Sequence, residues 1–277
     1  MAIKAVTFDL WLTLIWDSKE LEEYRKLRRL LNFHNFVKRV GTKGKKSEHI
    51  SFNAVRLAME QLSLNVKKVY EKGRDVSPED RGRMLFELLG IKFSRAEAAQ
   101  VDAQAGRILS DSGYHAKYPN LNPEAKPVLK ELKESGLAIG LVSNAARTAK
   151  TYGRMLRAFG IADYFDSLTI SCEIGYLKPR KEIFSAALKS LSVKPLEALH
   201  IGDLFKADVV GATSYGMNAA LYTGMWHKYA QYMNPGEHIP PDFKTSKPLV
   251  AKEISSLRQV PNVVEDCNKM QQESTKL

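Results

Sequence analysis

The sequence predicts an α/β protein in which a doubly wound parallel sheet is interrupted by an inserted all-helical domain. Three observations support this prediction. Residues 2–9, "AIKAVTFD", form an apolar, β-branched run that is typical of a buried strand. Residues 16–116 show the apolar spacing of amphipathic helices. From about residue 123, short apolar runs alternate with amphipathic segments, and this βαβ pattern is typical of a parallel sheet with helices on both faces.

The helical block begins soon after the first strand. Ser18 is a suitable N-cap for a helix over residues 18–40, and a second helix is expected over residues 47–72. Two further segments, "SPEDRGRMLFELLG" and "SRAEAAQVDAQAGRILSDSG", begin with a capping serine and end in glycine. We therefore expect residues 16–116 to form one helical domain, and residues 1–15 and 117–260 to form the α/β core.

The core elements follow in a regular order as far as Thr223. The predicted strands are "LAIGLVSN", a short strand within "FDSLTISCEIG", "ALHIGD" and "NAALYT". A helical pattern precedes each of them. After Thr223 the pattern weakens, and "LVAKEISSLRQV" is expected to form a last helix. Residues 261–277 are polar and are expected to form a frayed C-terminal tail.

The composition is that of an intracellular globular protein. Cys172 and Cys267 are the two cysteines of the chain, too few for a disulfide framework or a zinc cluster, and this favours a cytoplasmic location. No run approaches the roughly 18 apolar residues that span a bilayer, so no membrane association is expected. The composition leaves the oligomeric state open between a monomer and a homodimer.

The net charge of +11 requires an explanation, since basic residues crowd between Arg25 and Lys46. Such a cluster can attract an anionic substrate or a nucleic acid, but it is also common on the solvated face of a helix. No nucleic-acid motif accompanies the charge. The solvated face is therefore the favoured interpretation, and nucleic-acid binding is not expected.

The predicted strands end on residues that can perform chemistry. In open parallel sheets, functional sites lie outside the carboxyl ends of the strands. The residues at or just beyond these ends are Asp9, Ser143, Asn144, Asp203 and Asp208, and Lys178 lies at a predicted helix start. Taken singly, each could be a capping or turn residue. Their occurrence together, at successive strand ends, favours a single site.

This set of residues suits an anionic substrate. A carboxylate can act as a nucleophile toward phosphorus or carbon and divide one displacement into two easier ones. Asp9, Asp203 and Asp208 supply the oxygen ligands that magnesium prefers, and the metal would neutralise a phosphoryl group. Hydroxyl and N–H groups at Ser143 can bind anionic oxygens, and Lys178 adds a positive charge.

Four segments of the sequence resemble the four motifs of the haloacid dehalogenase-like hydrolase superfamily. In order, they are "FDLWLTL", "LVSN", the Lys-Pro of "GYLKPRKEIF", and "HIGDLFKADVVGA". The last is the most specific, because its Gly-Asp is followed by a second Asp five positions later. The resemblance spans nearly the whole chain. It implies a Rossmann-like core with residues 16–116 as a helical cap, as in the subgroup of 2-haloacid dehalogenases and small-molecule phosphatases.

The resemblance also implies a role for each residue of the site. Asp9 would be the nucleophile, and Lys178 would steady both it and the substrate. Ser143 would bind the transferred group, with Asn144 beside it. A cap arginine, Arg25 or Arg39, would contact the small anionic substrate. The Mg²⁺ cofactor would be bound by Asp9, Asp203, Asp208 and the backbone carbonyl of Trp11.

Two residues of the first motif depart from the family pattern. Most phosphatases of the family have an Asp at the position of Trp11, where it protonates the leaving group, whereas the dehalogenases have an aromatic residue there. Tryptophan cannot transfer this proton, and loss of a positioned acid–base group typically costs about 10²–10⁴-fold in rate. The next residue is Leu12 instead of the usual glycine, so we expect the turn to differ.

The fourth motif favours a phosphatase. Dehalogenases of the family work without metal and lack these acids, whereas Asp203 and Asp208 are present here. We therefore expect a magnesium-dependent phosphatase that acts on a small phosphorylated metabolite through an aspartyl-phosphate on Asp9. It would be slow, or restricted to phosphates such as aryl or acyl phosphates. The alternatives are a 2-haloacid dehalogenase with an ester intermediate on Asp9, and a non-catalytic protein that binds its partner through the basic cap.

Overall fold

The computed structural model describes residues 2–41, 50–111, 118–226, 238–245 and 249–274. Its core is a six-stranded sheet in which every neighbouring pair is parallel. The six strands are β1 (Ala5–Phe8), β4 (Ala138–Ser143), β5 (Ser167–Ile170), β6 (Ala198–Gly202), β7 (Asn218–Tyr222) and β8 (Ala251–Ile254). Their spatial order is β5-β4-β1-β6-β7-β8, so the strand order reverses at β1. The predicted doubly wound α/β fold is confirmed.

Helices cover both faces of this sheet. They are α5 (Ala125–Glu134), α6 (Ala149–Ala158), α7 (Ser171–Ile174), α8 (Lys181–Leu191), α9 (Gly211–Tyr215) and α10 (Val260–Ser274), with a π-helical turn over Phe205–Val210 before α9. One apolar cluster packs around Leu129, Met155 and Val263, and another packs around Phe184 and Val209. Because helices cover both faces of the sheet, every residue of the central strands β1 and β6 is buried, and most of these residues are apolar.

Between β1 and α5, the described residues form four helices with an apolar cluster of their own. They are α1 (Lys19–Gly41), α2 (Phe52–Tyr70), α3 (Pro78–Leu88) and α4 (Arg95–Asp111). The chain enters and leaves this helical block through a short antiparallel pair, β2 (Ile15–Trp16) and β3 (Asn120–Leu121). The predicted boundary at residues 116 and 117 lies outside the described residues, and the division into domains stays a prediction.

The helical block also contacts the core between α2 and α3. The Leu177 N–H donates to the Gly73 carbonyl (3.1 Å), and the Asp75 N–H donates to the Gly175 carbonyl (3.0 Å). Between these two bonds, Arg74 pairs with Tyr176, and its guanidinium lies 4.2 Å from the centre of the tyrosine ring. This short ladder ends one residue before Lys178, so it links the helical block to a residue of the predicted site.

The expectations for the C-terminal segment were wrong. Residues 251–254 form the edge strand β8 instead of the start of a helix, because an edge strand can leave Lys252 and Glu253 exposed. The polar tail expected from residue 261 is helical as far as Ser274. Val260, Val263, Val264 and Cys267 follow helical spacing and are buried against the sheet. Among the described residues, no helix combines the length and apolar character needed to cross a bilayer.

Candidate active site

Three buried carboxylates meet at the point where the strand order reverses. Asp9 follows β1 and Asp203 follows β6, while Asp208 lies in the π-helical turn. One carboxylate oxygen from each lies within 4.8 Å of one from the others. We call these three residues the acid cluster. Parallel neighbours β1 and β6 end at the same edge, which explains why residues far apart in sequence meet here.

Lys178 joins the acid cluster from a separate loop. Its ammonium donates to Asp9 Oδ1 at 2.7 Å and to Asp208 Oδ1 at 2.6 Å, and its side chain is almost fully buried. Burial alone would lower the pKa of Lys178, but the carboxylates of Asp208 and Asp9 raise it above its ordinary value. The lysine therefore stays charged and fixes one oxygen of Asp9.

Asn144 holds the backbone of that lysine. Its Oδ1 accepts from the Lys178 N–H at 2.7 Å, and its Nδ2 donates to the Lys178 carbonyl at 3.1 Å. Because its Oδ1 and one Nδ2 hydrogen bind this backbone, Asn144 positions Lys178. Ser143 differs: its Oγ is buried and has no hydrogen-bond partner among the described residues. That hydroxyl is available for a ligand oxygen.

Asp208 is held by more hydrogen-bond partners than the other two members of the acid cluster. His200 Nε2 lies 3.0 Å from its Oδ1, and the Leu204 N–H donates to its Oδ2 at 2.9 Å. Burial would raise the pKa of Asp208, but Lys178 and His200 outweigh it and hold the pKa well below its ordinary value. Gly202 makes this packing possible, since a Cβ there would lie 2.2 Å from Asp208 Cγ.

The charge balance of this site suits a divalent cation. Burial raises the pKa of Asp9, and it raises that of Asp203 well above its ordinary value with help from Asp9 and Asp208. Three carboxylates face one ammonium in a buried space. Carboxylate oxygens are the ligands that hard divalent cations prefer. The residues present therefore fit a metal ion that would offset the excess negative charge.

A cleft of about 280 Å³ lies where the chain leaves β1 toward the helical block. Trp11 lines it, and the Trp11 Nε1–H donates to the Tyr152 hydroxyl at 3.4 Å. We call it the Trp11 cleft. The other residues lining it are Asp17, Glu22, Arg25, Lys26, Arg29 and Arg147. The Trp11 indole therefore forms part of the wall of this cleft.

The two predicted cap arginines have different surroundings. Arg25 lies in the Trp11 cleft and is buried in an ion pair with Asp17. Arg39 is exposed and lies fourteen residues further along α1, about 21 Å along the helix axis from Arg25. It is not among the residues that line the Trp11 cleft. The structure thus brings Arg25 to the cleft and keeps Arg39 away from it.

Leu12 adopts the conformation that favours glycine. Its φ is +58°, in the left-handed region, and its N–H donates to the Ile15 carbonyl at 2.8 Å. The N–H groups of Leu14 and Ile15 both donate to the Leu10 carbonyl. This tight turn places Trp11 on the wall of the cleft, and a leucine occupies the position at some steric cost.

Two residues near the site were not among those predicted. His200 alternates with apolar neighbours on β6, and this alternation could have identified it as a side chain pointing toward Asp208. Arg147 lies in the loop after β4, where no periodic pattern applies, and it lines the Trp11 cleft. Only its position three residues after Asn144, near a strand end, could have drawn attention to it.

Comparisons with known proteins agree with this geometry. The family model of the haloacid dehalogenase-like hydrolases matches residues 3–216. A protein of Methanopyrus kandleri named glyceraldehyde 3-phosphate phosphatase is 28% identical over 252 residues, which cover 89% of this chain and 94% of that protein. A ribulose-1,5-bisphosphate 5-phosphatase of Halopiger xanaduensis is 34% identical over 162 residues, which cover 55% of this chain and 66% of that protein.

A solved structure shares the fold. The 2-haloacid dehalogenase of Pseudomonas syringae pv. Tomato superposes with a TM-score of 0.60 over 95% of this chain and 99% of that one, at 23% identity. At that level of identity the likeness concerns the fold alone. Since the family model spans most of the chain and the parallel sheet agrees with it, the chain belongs to the haloacid dehalogenase-like hydrolases.

Proposed function

We propose that the protein is a magnesium-dependent phosphatase that hydrolyses a small phosphate monoester. The observation that supports this most directly is the acid cluster, in which buried Asp9 contacts Lys178 beside Asp203 and Asp208. A metal-free site with three acids would repel an anionic haloacid. The phosphatase names of the similar proteins from Methanopyrus kandleri and Halopiger xanaduensis support the same choice.

In the first step, Asp9 is the nucleophile. Lys178 holds Oδ1, which leaves Oδ2 to attack phosphorus. The new bond joins Asp9 to phosphorus as the bond from phosphorus to the ester oxygen breaks, and the leaving oxygen takes the electron pair. The Ser143 hydroxyl donates to a phosphoryl oxygen, because that hydroxyl is buried without a partner among the described residues.

Asp9, Asp203, Asp208 and the Trp11 carbonyl would hold the Mg²⁺, with Asp208 acting directly or through water. When bound, the ion supplies positive charge that offsets the phosphoryl group and lets an anionic nucleophile approach it. His200 and the Leu204 N–H keep Asp208 ionised and oriented whether or not the ion is present.

In the second step, water attacks the aspartyl-phosphate. Its oxygen bonds to phosphorus, Asp9 recovers its electron pair, and inorganic phosphate leaves with the proton of the water passing to solvent. Trp11 neither protonates the leaving oxygen nor takes a proton from the attacking water, since its indole N–H donates to Tyr152. Esters whose leaving group departs without protonation, such as aryl phosphates, are therefore the expected substrates.

Two substrates separate the phosphatase from the dehalogenase. The protein is incubated with p-nitrophenyl phosphate or with L-2-chloropropionate, each in Mg²⁺ and in EDTA. We expect phosphate release that requires Mg²⁺, and no chloride release. Chloride release in EDTA without any phosphate release would contradict the proposal and favour the dehalogenase. Absence of both, together with salt-sensitive retention of RNA or DNA, would favour a binding protein.

A substitution tests the nucleophile itself. Asp9→Asn should lower kcat for p-nitrophenyl phosphate by about 10⁴-fold or more, since the amide cannot attack phosphorus. The matched control is Asp163→Asn, the same change at an exposed position in the core, which should leave kcat unchanged. Equal kcat values for the Asp9 variant and the unaltered protein would refute the assigned nucleophile.

A further inference from the structure

We propose that the natural substrate has a leaving group with a second anionic group on an apolar body, and that this leaving group binds in a second cavity beyond the Trp11 cleft. The proposal rests on the phosphatase function proposed above and names the class of its substrate. The cavity has a volume of about 310 Å³ and lies between the helical block and the loop after β4. We call it the chamber.

The floor of the chamber is apolar. Met59, Leu62 and Val66 of α2 line it together with Leu109 of α4. Its volume is at the lower end of the roughly 300–1,000 Å³ that small-molecule sites occupy. A floor of this kind is stabilised by contact with a ring or a short aliphatic chain, since such contact removes apolar surface from water. It offers little to a small, fully hydroxylated substrate.

The wall of the chamber is cationic. Among the described residues that line it, four are basic and none is acidic. Arg81 already pairs with buried Asp75 at 2.8 Å. The other three are Arg29, Lys67 and Arg147, and Arg147 also interacts with Asp17 and Tyr152. The wall is positive because its described lining residues include basic side chains and no acidic one. Positive side chains beside an apolar floor match a carboxylate or a second phosphate attached to an apolar body.

The chamber adjoins the Trp11 cleft. Arg29 and Arg147 line both the chamber and the Trp11 cleft, so the two cavities meet at these residues. Trp11 lies two residues after Asp9, and Arg147 lies four residues after Ser143. A phosphoryl group at Asp9 and Ser143 can therefore extend its leaving group past Trp11, between the two arginines, and onto the apolar floor.

A pair of isosteric esters tests the charge of the leaving group. The probes are 4-carboxyphenyl phosphate and 4-carbamoylphenyl phosphate, which differ in charge at the far end of the ring. We expect kcat/KM to be about tenfold or more higher for the carboxylate, mainly through a lower KM. The unsubstituted p-nitrophenyl phosphate serves as the reference for phosphatase activity.

Three variants locate the effect in the chamber. Arg29→Gln and Arg147→Gln should each bring the ratio of kcat/KM for the carboxylate ester to that for the amide ester closer to one. Each substitution removes a cation from the wall. The matched control is Arg28→Gln, which removes the same charge from an exposed neighbouring position on α1 and should keep the preference. Using arginines from two different elements keeps the test valid if one variant fails to fold.

The outcomes separate this proposal from the phosphatase proposal. Equal kcat/KM for the two esters, with p-nitrophenyl phosphate still hydrolysed, would contradict the chamber proposal alone. A preference that survives both chamber substitutions would also contradict it. If none of the three esters is hydrolysed, the phosphatase proposal fails instead. Calorimetry with benzoate and benzamide then still tests the chamber, and equal binding of the two would overturn it.

Discussion

The acid cluster and the chamber lie on the same side of the molecule, but the chain builds them in different ways. The acid cluster comes from residues at strand ends and in the turn after β6, and Lys178 and His200 hold its carboxylates in place. The chamber comes from side chains on helices α1 to α4 and from one core loop. Under the two proposals above, the sheet would supply the residues that react, and the inserted helices would select the substrate.

Trp11 follows Asp9 in sequence and lines the cleft that meets the chamber. The substitution Trp11→Asp tests whether this position can supply an acid for the reaction. The new carboxyl would stand where it could protonate the leaving group. We expect kcat for an alkyl ester such as glycerol 3-phosphate to rise by about 10²-fold or more, with little change for p-nitrophenyl phosphate, whose leaving group needs no proton. The measurement is phosphate release from both esters.

The control for this substitution is Trp11→Phe, which removes the indole N–H without adding an acid. It should leave the ratio of alkyl to aryl turnover unchanged. If the phenylalanine variant raised the ratio as much as the aspartate variant, space in the cleft and not the missing acid would be limiting. The cleft would then belong with the chamber as a determinant of selectivity.

Asp203→Asn tests whether the acid cluster is built for a metal at the expense of stability. The pKa of Asp203 is raised by burial and by Asp9 and Asp208, so its ionised form is disfavoured in the folded state at neutral pH. At pH 7.5, above the ordinary pKa of a carboxyl group, the ionised Asp203 lowers the stability of the folded state in magnesium-free buffer. We therefore expect the variant to unfold at a higher temperature than the unaltered protein, as measured by thermal unfolding.

In magnesium, the unaltered protein should become more stable than the Asp203→Asn variant. At a hundredfold excess over its Kd, the ion should stabilise the unaltered protein by about 2.7 kcal/mol, and the variant should lose most of this gain. Asp163→Asn, at an exposed position, should change neither melting temperature. A variant that is less stable without magnesium yet keeps the full magnesium shift would show that Asp203 is a structural residue.

Leu12→Gly has the smallest expected effect and concerns the turn that joins Asp9 to the wall of the cleft. A left-handed conformation costs a residue with a Cβ roughly 1–2 kcal/mol, whereas glycine loses roughly 0.5–1 kcal/mol of extra chain entropy on folding. We therefore expect a net stabilisation of up to about 1 kcal/mol, measured by denaturant unfolding.

Leu204→Gly is the matched control for that turn, because Leu204 is 43% exposed and has an ordinary φ of −110°. Glycine there should destabilise the protein by roughly 0.5–1 kcal/mol. If both glycine variants lost stability to the same extent, the conformation of Leu12 would not be strained. The turn would then be set by packing of the leucine side chain.

The sheet and the acid cluster could be predicted from sequence because local rules determine them. Apolar runs that end on Asp9, Ser143 and Asp203 specify parallel strands, and parallel strands bring their ends together. Lys178 could be assigned to the same edge, although the hydrogen bonds by which Asn144 holds its backbone could not be predicted.

The chamber and the C-terminal helix could not be predicted from the sequence by these local rules. Arg29 and Arg147 meet only because α1 packs over the loop after β4, and no spacing in the sequence encodes that approach. Helix α10 was missed for a different reason. Its composition is polar overall, and only the spacing of Val260, Val263 and Val264 indicates a buried helical face.

The ladder between Gly73–Asp75 and Gly175–Leu177 has a consequence for the entry of substrate and the exit of phosphate. Moving the helical block away from the sheet breaks two backbone hydrogen bonds and the contact of Arg74 with Tyr176, next to the lysine that holds Asp9. Deuterium exchange at the amide hydrogens of Asp75 and Leu177 would therefore report any separation of the helical block from the core beside Lys178.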